Sequence, residues 1–109
     1  MSPQLSIAQL NDVLRTTFLT GRVLLTQGVA ALPEAVQAGI IDRVRSFDVF
    51  TEDNDPYGEH DFGAFDHPVA GRINWKIDYY DQAMTSGSDD PADPVTTCRV
   101  LTILLGEEW

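Results

Sequence analysis

The sequence predicts an α+β fold in which two helices pack on one face of a mainly antiparallel four-stranded sheet. Apolar residues recur at helical spacing in two early segments, residues 72–81 alternate between apolar and polar side chains, and residues 97–105 are apolar at successive positions. The order of elements along the chain is α-β-α-β-β-β. Two helices and one sheet most simply form two layers around a single core.

The first helix is predicted over residues 6–19. Ser6 followed by Gln9 is the pattern of a capping box, in which each residue satisfies a backbone amide at the start of the helix. Gly21 suits the position just after the helix, where a left-handed conformation is favoured. The short apolar run over residues 22–26 then predicts the first strand.

The second helix is predicted over residues 33–48, because Pro33 fits the first helical position and the apolar period continues beyond it. Residues 60–66 are expected to return to ordered structure after an irregular segment. The alternation over 72–81 predicts a strand with one buried and one wet face. Residues 97–105 are apolar on both faces, so we expect that strand at the centre of the sheet.

The bulk composition indicates one domain, residues 1–109, with a formal net charge of −10. Such a charge argues against direct binding of nucleic acid or of an anionic membrane, and it favours a basic protein partner unless solubility alone explains it. The single Cys98 excludes an internal disulfide and is expected to be buried in a strand. No signal-like or membrane-spanning stretch is present, so a cytoplasmic location is expected.

An acidic segment between the second helix and the later strands is the most informative part of the chain. No Lys or Arg occurs from Ser46 to Gly71. Repulsion among carboxylates does not help a chain to fold, so a metal ion, a basic protein surface or solubility has to account for them. The seven carboxylates of this span are Asp48, Glu52, Asp53, Asp55, Glu59, Asp61 and Asp66.

A calcium loop of the EF-hand type is excluded by the spacing of the ligands. Counted from Asp53, Tyr57 occupies the fifth position and Ala64 the twelfth, where oxygen ligands are required. A looser divalent site formed by Asp53, Asp55 and Glu59 stays open as the alternative function, a metal-binding module or a small metal-dependent enzyme that uses the Asp53–Asp61 segment.

Transition-metal and hydrolytic sites are less favoured. His60 and His67 would point to opposite faces if the chain between them is extended, and Cys98 would have to turn outward to join them. A Cys98–His60 nucleophilic pair would place the thiolate on a short apolar strand. We therefore predict no catalytic residue, no metal ligand and no cofactor.

Aromatic residues beside the acids suggest a protein-binding patch, because Tyr and Trp are enriched among interface anchors. Tyr57 and Tyr80 are the candidates for exposure. The competing interpretation is a structural loop in which Asp53 and Asp55 satisfy turn amides. The candidate partner-binding residues are Glu52, Asp53, Asp55, Tyr57, Glu59, Asp61, Asp78, Tyr80 and Asp81.

The motifs FTEDNDPYGEHDFGAF (Phe50–Phe65) and WKIDYYD (Trp75–Asp81) resemble those of a family of short bacterial proteins known as a domain of unknown function. GRVLLTQGVAALP (Gly21–Pro33) and the closing DPADP and TTCRVLTILL segments (Asp90–Leu105) are similar to its pattern too. The resemblance covers roughly residues 10–106, and members look like cargo of plasmids and other mobile elements.

This resemblance implies a function by analogy only. Small acidic proteins of mobile elements are often inhibitors of host defence, including anti-CRISPR proteins that occupy a basic nucleic-acid channel. We therefore expect a non-enzymatic inhibitor that mimics the charge of DNA and binds a subunit of a type I CRISPR effector. A ridge formed by the acidic segment with Asp78, Asp81, Asp89, Asp90 and Asp93 would supply the charge.

Overall fold

The computed structural model describes residues 4–109 as one four-stranded sheet with helices on one face. The strands are ordered β1-β4-β3-β2 across the sheet. In chain order the elements are α1 (Ile7–Thr17), β1 (Arg22–Leu25), α2 (Gln27–Ala30), α3 (Glu34–Arg45), β2 (Phe62–His67), β3 (Gly71–Asp81), β4 (Thr97–Leu105) and a 3-10 helix (Gly106–Glu108).

The sheet is mixed, with one parallel and two antiparallel pairs of strands. β2, β3 and β4 form the antiparallel part, as expected for strands joined by loops. β1 adds in parallel to β4, so that Val23 lies opposite Leu101 and Leu25 opposite Ile103. The α+β prediction and the central place of the strand over 97–105 are therefore confirmed.

The first helix is shorter than the predicted 6–19. The capping box of Ser6 and Gln9 is present. Phe18, with a φ of 61°, is the left-handed residue that ends the helix, so the assignment of that role to Gly21 was wrong. Gly21 instead allows a close approach, since a Cβ at this position would lie 2.6 Å from the carbonyl oxygen of Arg99.

The second predicted helix, 33–48, corresponds to α3. Pro33 is the residue before the helix rather than its first helical residue, and the helix ends at Arg45. Between β1 and α3 the structure has the short helix α2, for which the sequence predicted no helix. Thr26 begins that helix, because its side-chain oxygen accepts from the amide of Val29.

The hydrophobic core lies between the sheet and the helices. Trp75 is fully buried, and its indole Nε1 lies so near the β2 backbone that a Cβ on Gly63 would come within 2.4 Å of it. The predicted inward face of β3 is confirmed. The buried core residues are Leu14, Val29, Ile40, Val44, Phe65, Ile73, Trp75, Ile77, Leu101 and Ile103.

The other face of the sheet, which we call the outer face, carries no α-helix among residues 4–109, since all three α-helices contribute to the core on the inner side. Lys76, Asp78 and Thr102 alternate with the core residues and so face outward. Cys98 also lies on this face opposite Tyr80 and is only half-buried, so the expectation of a buried thiol was wrong.

None of the helices described is long and apolar enough to cross a membrane.

Candidate partner-binding surface

The acidic segment is anchored to α1 near His60. The Nδ1 atom of His60 lies 3.0 Å from both carboxylate oxygens of Asp12, and its ring stacks on Phe50 at a centroid distance of 3.9 Å. Arg15 donates to the same Asp12 carboxylate at 3.1 Å. The segment is therefore held against the helix layer by side chains 48 positions apart in sequence.

Asp55 has a structural role inside this segment. It is 8% exposed, and its carboxylate accepts the backbone amides of Glu59 at 3.0 Å and His60 at 3.2 Å. The structural interpretation therefore holds for Asp55. Its carboxylate is buried, so it is not available to a partner, although the sequence analysis had placed it among the partner-binding residues. Asp53 is exposed, and the turn around it is closed instead by Asn54, whose side chain accepts the amide of Thr51 at 2.8 Å.

A second polar network connects α1 to the sheet through Asn11. This fully buried side chain donates to the carbonyl of Glu59 at 2.9 Å and to the hydroxyl of Tyr79 at 2.8 Å. Its own oxygen accepts from Nε of Arg99 at 2.9 Å. Burial raises the pKa of Tyr79 to about 12, so the phenol stays protonated and can keep its place in the network. Sequence reasoning missed Asn11, because a lone Asn in a helix carries no signal of a contact so distant in sequence.

Burial of cations makes the protein surface more acidic than the composition suggests. Of the seven Lys and Arg residues, Arg15 and Arg99 are each only 4% exposed. Two more cations donate hydrogen bonds to backbone carbonyls: Arg43 to that of Asp66 at 2.7 Å and Arg45 to that of Thr16 at 3.0 Å. Two of the seven cations are therefore withdrawn from the surface, while Arg43 and Arg45 are exposed but lie within 4.0 Å of no carboxylate among residues 4–109.

Among residues 4–109, no Lys, Arg or His nitrogen lies within 4.0 Å of five carboxylates of the acidic segment: Asp48, Glu52, Asp53, Glu59 and Asp61. Glu52 and Asp53 are exposed, and Glu59 and Asp61 are half-buried. We call Glu52, Asp53, Glu59 and Asp61 the acidic surface. Tyr57 stands beside it with 87% of its surface exposed, which agrees with its expected exposure.

The half-buried members of the acidic surface repel one another. Burial raises the pKa of Glu59, the charges of Asp61 and Asp55 raise it further, and the charge of Arg99 opposes the rise. Burial also raises the pKa of Asp61, where a hydrogen bond to its own backbone acts in the opposite direction and the charges of Asp55 and Asp78 add to the rise. A cation placed near these groups would relieve this repulsion.

The remaining candidate residues lie on β3 and have different environments. Asp78 pairs with Lys76 at 3.0 Å on the outer face. Tyr80 is half-buried and bridges to Gly87. Asp81 closes the turn after β3 by accepting the amide of Thr85 at 3.0 Å, and this hydrogen bond lowers the pKa of its carboxyl. The carboxylate of Asp81 is therefore engaged within its own turn.

The geometry gives no support to the metal-binding alternative. Within residues 4–109, no group of three or more His, Cys, Asp and Glu side chains is placed to hold a metal ion. His67 accepts the amides of Val69 and Ala70 through Nδ1, and His60 is engaged with Asp12.

A Cys98–His60 nucleophilic pair is excluded by the two faces of the sheet. Cys98 points to the outer face, where it lies opposite Tyr80. His60 contacts Asp12 on α1, which belongs to the helix layer on the inner side. The sheet therefore separates the thiol from the imidazole.

Over residues 4–109, fold and surface together define a small α+β protein with a helix-covered inner face, an outer face without α-helices and an acidic segment in which most carboxylates have no basic partner within 4.0 Å. The chain belongs to the family described as Protein of unknown function (DUF3768), whose pattern matches residues 25–108. No curated protein and no solved structure matches the chain. The family description names no activity, so any functional argument has to be based on the residues of this chain.

Proposed function

We propose that this protein is a non-enzymatic interaction protein that binds a basic, nucleic-acid-binding surface of another protein. The acidic surface and Asp78 make the contact. The observation that supports this is the absence of a cation within 4.0 Å of Glu52, Asp53, Glu59 and Asp61 in the described chain, together with the burial of Arg15 and Arg99.

The physical basis is competition for the same cations. Duplex DNA presents one negative charge per about 1.7 Å of its axis, and Lys and Arg side chains bind it largely through that charge. A folded surface of carboxylates attracts the same side chains and speeds encounter with them. Because the acidic segment is fixed to α1 through His60 and Asp12, its carboxylates are held in place before binding, which reduces the entropy lost on association.

The candidate partner is a subunit of a type I CRISPR effector, so that the protein would act as an anti-CRISPR inhibitor. This choice rests on the resemblance to proteins of mobile elements and on analogy with small acidic inhibitors. The acidic surface by itself suits any basic nucleic-acid channel.

The test is a pull-down of tagged protein against separate type I effector subunits, from about 50 to about 200 mM salt, with and without target DNA. We expect a complex that weakens with salt and that excludes DNA. A complex that still binds DNA would contradict charge mimicry. Absence of a complex with every subunit would overturn the anti-CRISPR assignment.

A matched pair of variants separates the acidic surface from general charge. The triple change Glu52→Gln, Asp53→Asn and Glu59→Gln removes three charges from the acidic surface, and it spares Asp55 because Asp55 is structural. The control removes three exposed charges elsewhere, with Glu34→Gln, Asp42→Asn and Glu107→Gln. We expect the first variant to lose about tenfold or more in affinity and the control to lose much less. Equal losses would mean that net charge alone drives binding.

A further inference from the structure

A groove of about 630 Å³ lies on the outer face of the sheet, and it contains two of the acids singled out from the sequence. Asp61 and Asp78 line it together with Lys76, and so do the aromatic residues Phe62 and Trp109. Thr102 and Leu104 of β4 also contribute to it. The groove therefore combines carboxylates with aromatic and aliphatic surface. These residues come from β2, β3, β4, the residue before β2 (Asp61) and Trp109.

Trp109 is the unusual feature of the groove. It is 65% exposed, whereas the other tryptophan, Trp75, is fully buried. Its ring meets Phe62 edge to face, with centroids 5.0 Å apart and an interplanar angle of 70°. This contact holds the indole in position without covering both of its faces. Exposed aromatic rings held by a neighbour are typical anchors of protein interfaces.

The charges of the groove favour a cationic occupant. Glu108 is engaged, since its oxygens accept from the hydroxyl of Thr26 and from the amides of Gly28 and Leu105. Asp78 shares its charge with Lys76. Asp61 has no Lys or Arg within 4.0 Å among the residues described and lies near enough to Asp78 for the two charges to interact. An excess of negative charge therefore stands next to an aromatic ring.

We infer that this groove receives an arginine side chain of the basic partner, with the guanidinium against the indole of Trp109 and paired with Asp61. The inference rests on the proposed function and names the contact through which it operates. Arginine fits better than lysine because its planar guanidinium stacks on aromatic rings, is weakly hydrated and binds a carboxylate through two parallel hydrogen bonds. The groove would then supply specificity, and the acidic surface would supply long-range attraction.

The two tryptophans allow a direct test. Acrylamide quenches an exposed indole, so quenching of this protein reports chiefly on Trp109. We would titrate the whole protein with an octa-arginine peptide and an octalysine peptide of equal charge. Tighter binding of the arginine peptide, with protection of Trp109 from quenching, is expected. Binding of the two peptides with equal affinity, or binding without protection, would overturn the inference.

Matched charge variants locate the contact. Asp61→Asn with Asp78→Asn removes two charges from the groove, and Glu52→Gln with Asp53→Asn removes two from the exposed loop. We expect the groove variant to lose about tenfold in affinity for octa-arginine and to lose its preference over octalysine. The loop variant should keep the preference, even if both peptides bind less tightly.

A third variant blocks the groove without a change of charge. Thr102→Trp would fill the groove from its position on the outer face of β4, where the side chain is half-exposed. Loss of the arginine preference in this variant supports the inference, provided that its circular dichroism and melting temperature match those of the parent. An unchanged preference in the folded variant would overturn it.

The results also distinguish this inference from the proposed function. If both peptides bind equally in every variant, but binding is salt-dependent and the acidic-surface triple variant weakens it, the groove is not the contact and the proposed function stands. If no basic peptide or protein binds at low salt, the proposed function fails and the groove inference fails with it.

Discussion

Asp53 and Asp55 lie two positions apart in the acidic segment, yet the structure separates their roles. Asp55 is buried and accepts the amides of Glu59 and His60, while Asp53 is exposed. The sequence does not distinguish the two carboxylates, because an aspartate that accepts turn amides and an aspartate exposed to solvent both occur in polar loop segments of this kind. The distinction depends on which side of the loop faces α1.

Replacing Asp55 by Ala is expected to destabilise the protein by about 1–3 kcal/mol, because two partly buried amides lose their acceptor. Asp53→Ala should change the stability by no more than about 0.5 kcal/mol, since the side chain is exposed. Urea denaturation of both variants against the parent checks this. Equal effects at the two positions would contradict the structural role of Asp55.

The pH dependence of stability should reveal Asp61. Burial raises the pKa of its carboxyl in the folded state, so the folded protein holds this proton more tightly than the unfolded chain. By linkage, the contribution of Asp61 to the free energy of unfolding falls as the pH rises from the ordinary aspartate range through the raised pKa. Above that window the charged group is a constant penalty.

Asp61→Asn removes the penalty, so the variant should melt higher than the parent at neutral pH. The difference should shrink toward zero as the pH falls below the ordinary aspartate range. Thermal unfolding across the acid range measures it, with Asp53→Asn as the exposed control for loss of one charge. A difference that is independent of pH would mean that the effect of the variant is not electrostatic.

At the scale of the elements, glycine positions show where packing is tight and where it is loose. A Cβ on Gly63 of β2 would lie 2.4 Å from Nε1 of Trp75 and 2.7 Å from Phe47. A Cβ on Gly39 of α3 would meet only the ring nitrogen of His67, at an ordinary 3.7 Å. The packing of β2 against Trp75 thus requires a glycine at position 63, whereas α3 has room for a Cβ at position 39.

Alanine at these two positions should act in opposite directions. Gly39→Ala is expected to stabilise the protein by about 0.5–1 kcal/mol, because alanine loses less backbone entropy in a helix. Gly63→Ala should destabilise it by about 1–3 kcal/mol, since a buried indole and a phenyl ring would have to shift. Melting temperatures of the two variants decide the matter, and stabilisation by Gly63→Ala would contradict the close packing of Trp75.

At the scale of the whole molecule, the distribution of charge dominates. A formal charge of −10 combined with the burial of Arg15 and Arg99 leaves the surface strongly acidic. Like charges on a compact surface repel one another and destabilise the folded state relative to an expanded chain. The presence of this unfavourable repulsion is consistent with the proposal that the acidic surface binds a basic protein.

Sodium chloride should therefore raise the melting temperature at neutral pH, because the Debye length shortens to about 10 Å at 0.1 M salt and screens the repulsion. The rise should be smaller in the variant that carries Glu52→Gln, Asp53→Asn and Glu59→Gln. A fall in the melting temperature with salt would show that ion pairs such as Lys76–Asp78 outweigh the repulsion.

The sequence by itself determined the kinds of all elements except the short helices α2 and Gly106–Glu108, and it determined several of their bounds. The strand predicted over 97–105 has those bounds in the structure, and the strand predicted over 72–81 begins one residue earlier, at Gly71. The capping box at Ser6 was also predictable. These features depend on periodicity and on contacts between near neighbours, which a single chain displays directly. The net charge of −10 is likewise a property of the composition.

The tertiary structure alone decided which acids are buried, which are exposed and which share a groove. The parallel pairing of β1 with β4, the contact of His60 with Asp12 and the contact of Trp109 with Phe62 join residues far apart in the chain. No local pattern records such contacts, because their free energy depends on the packing of the whole core. The structural role of Asp55 and the presence of Asp61 and Asp78 in one groove both depend on such distant contacts.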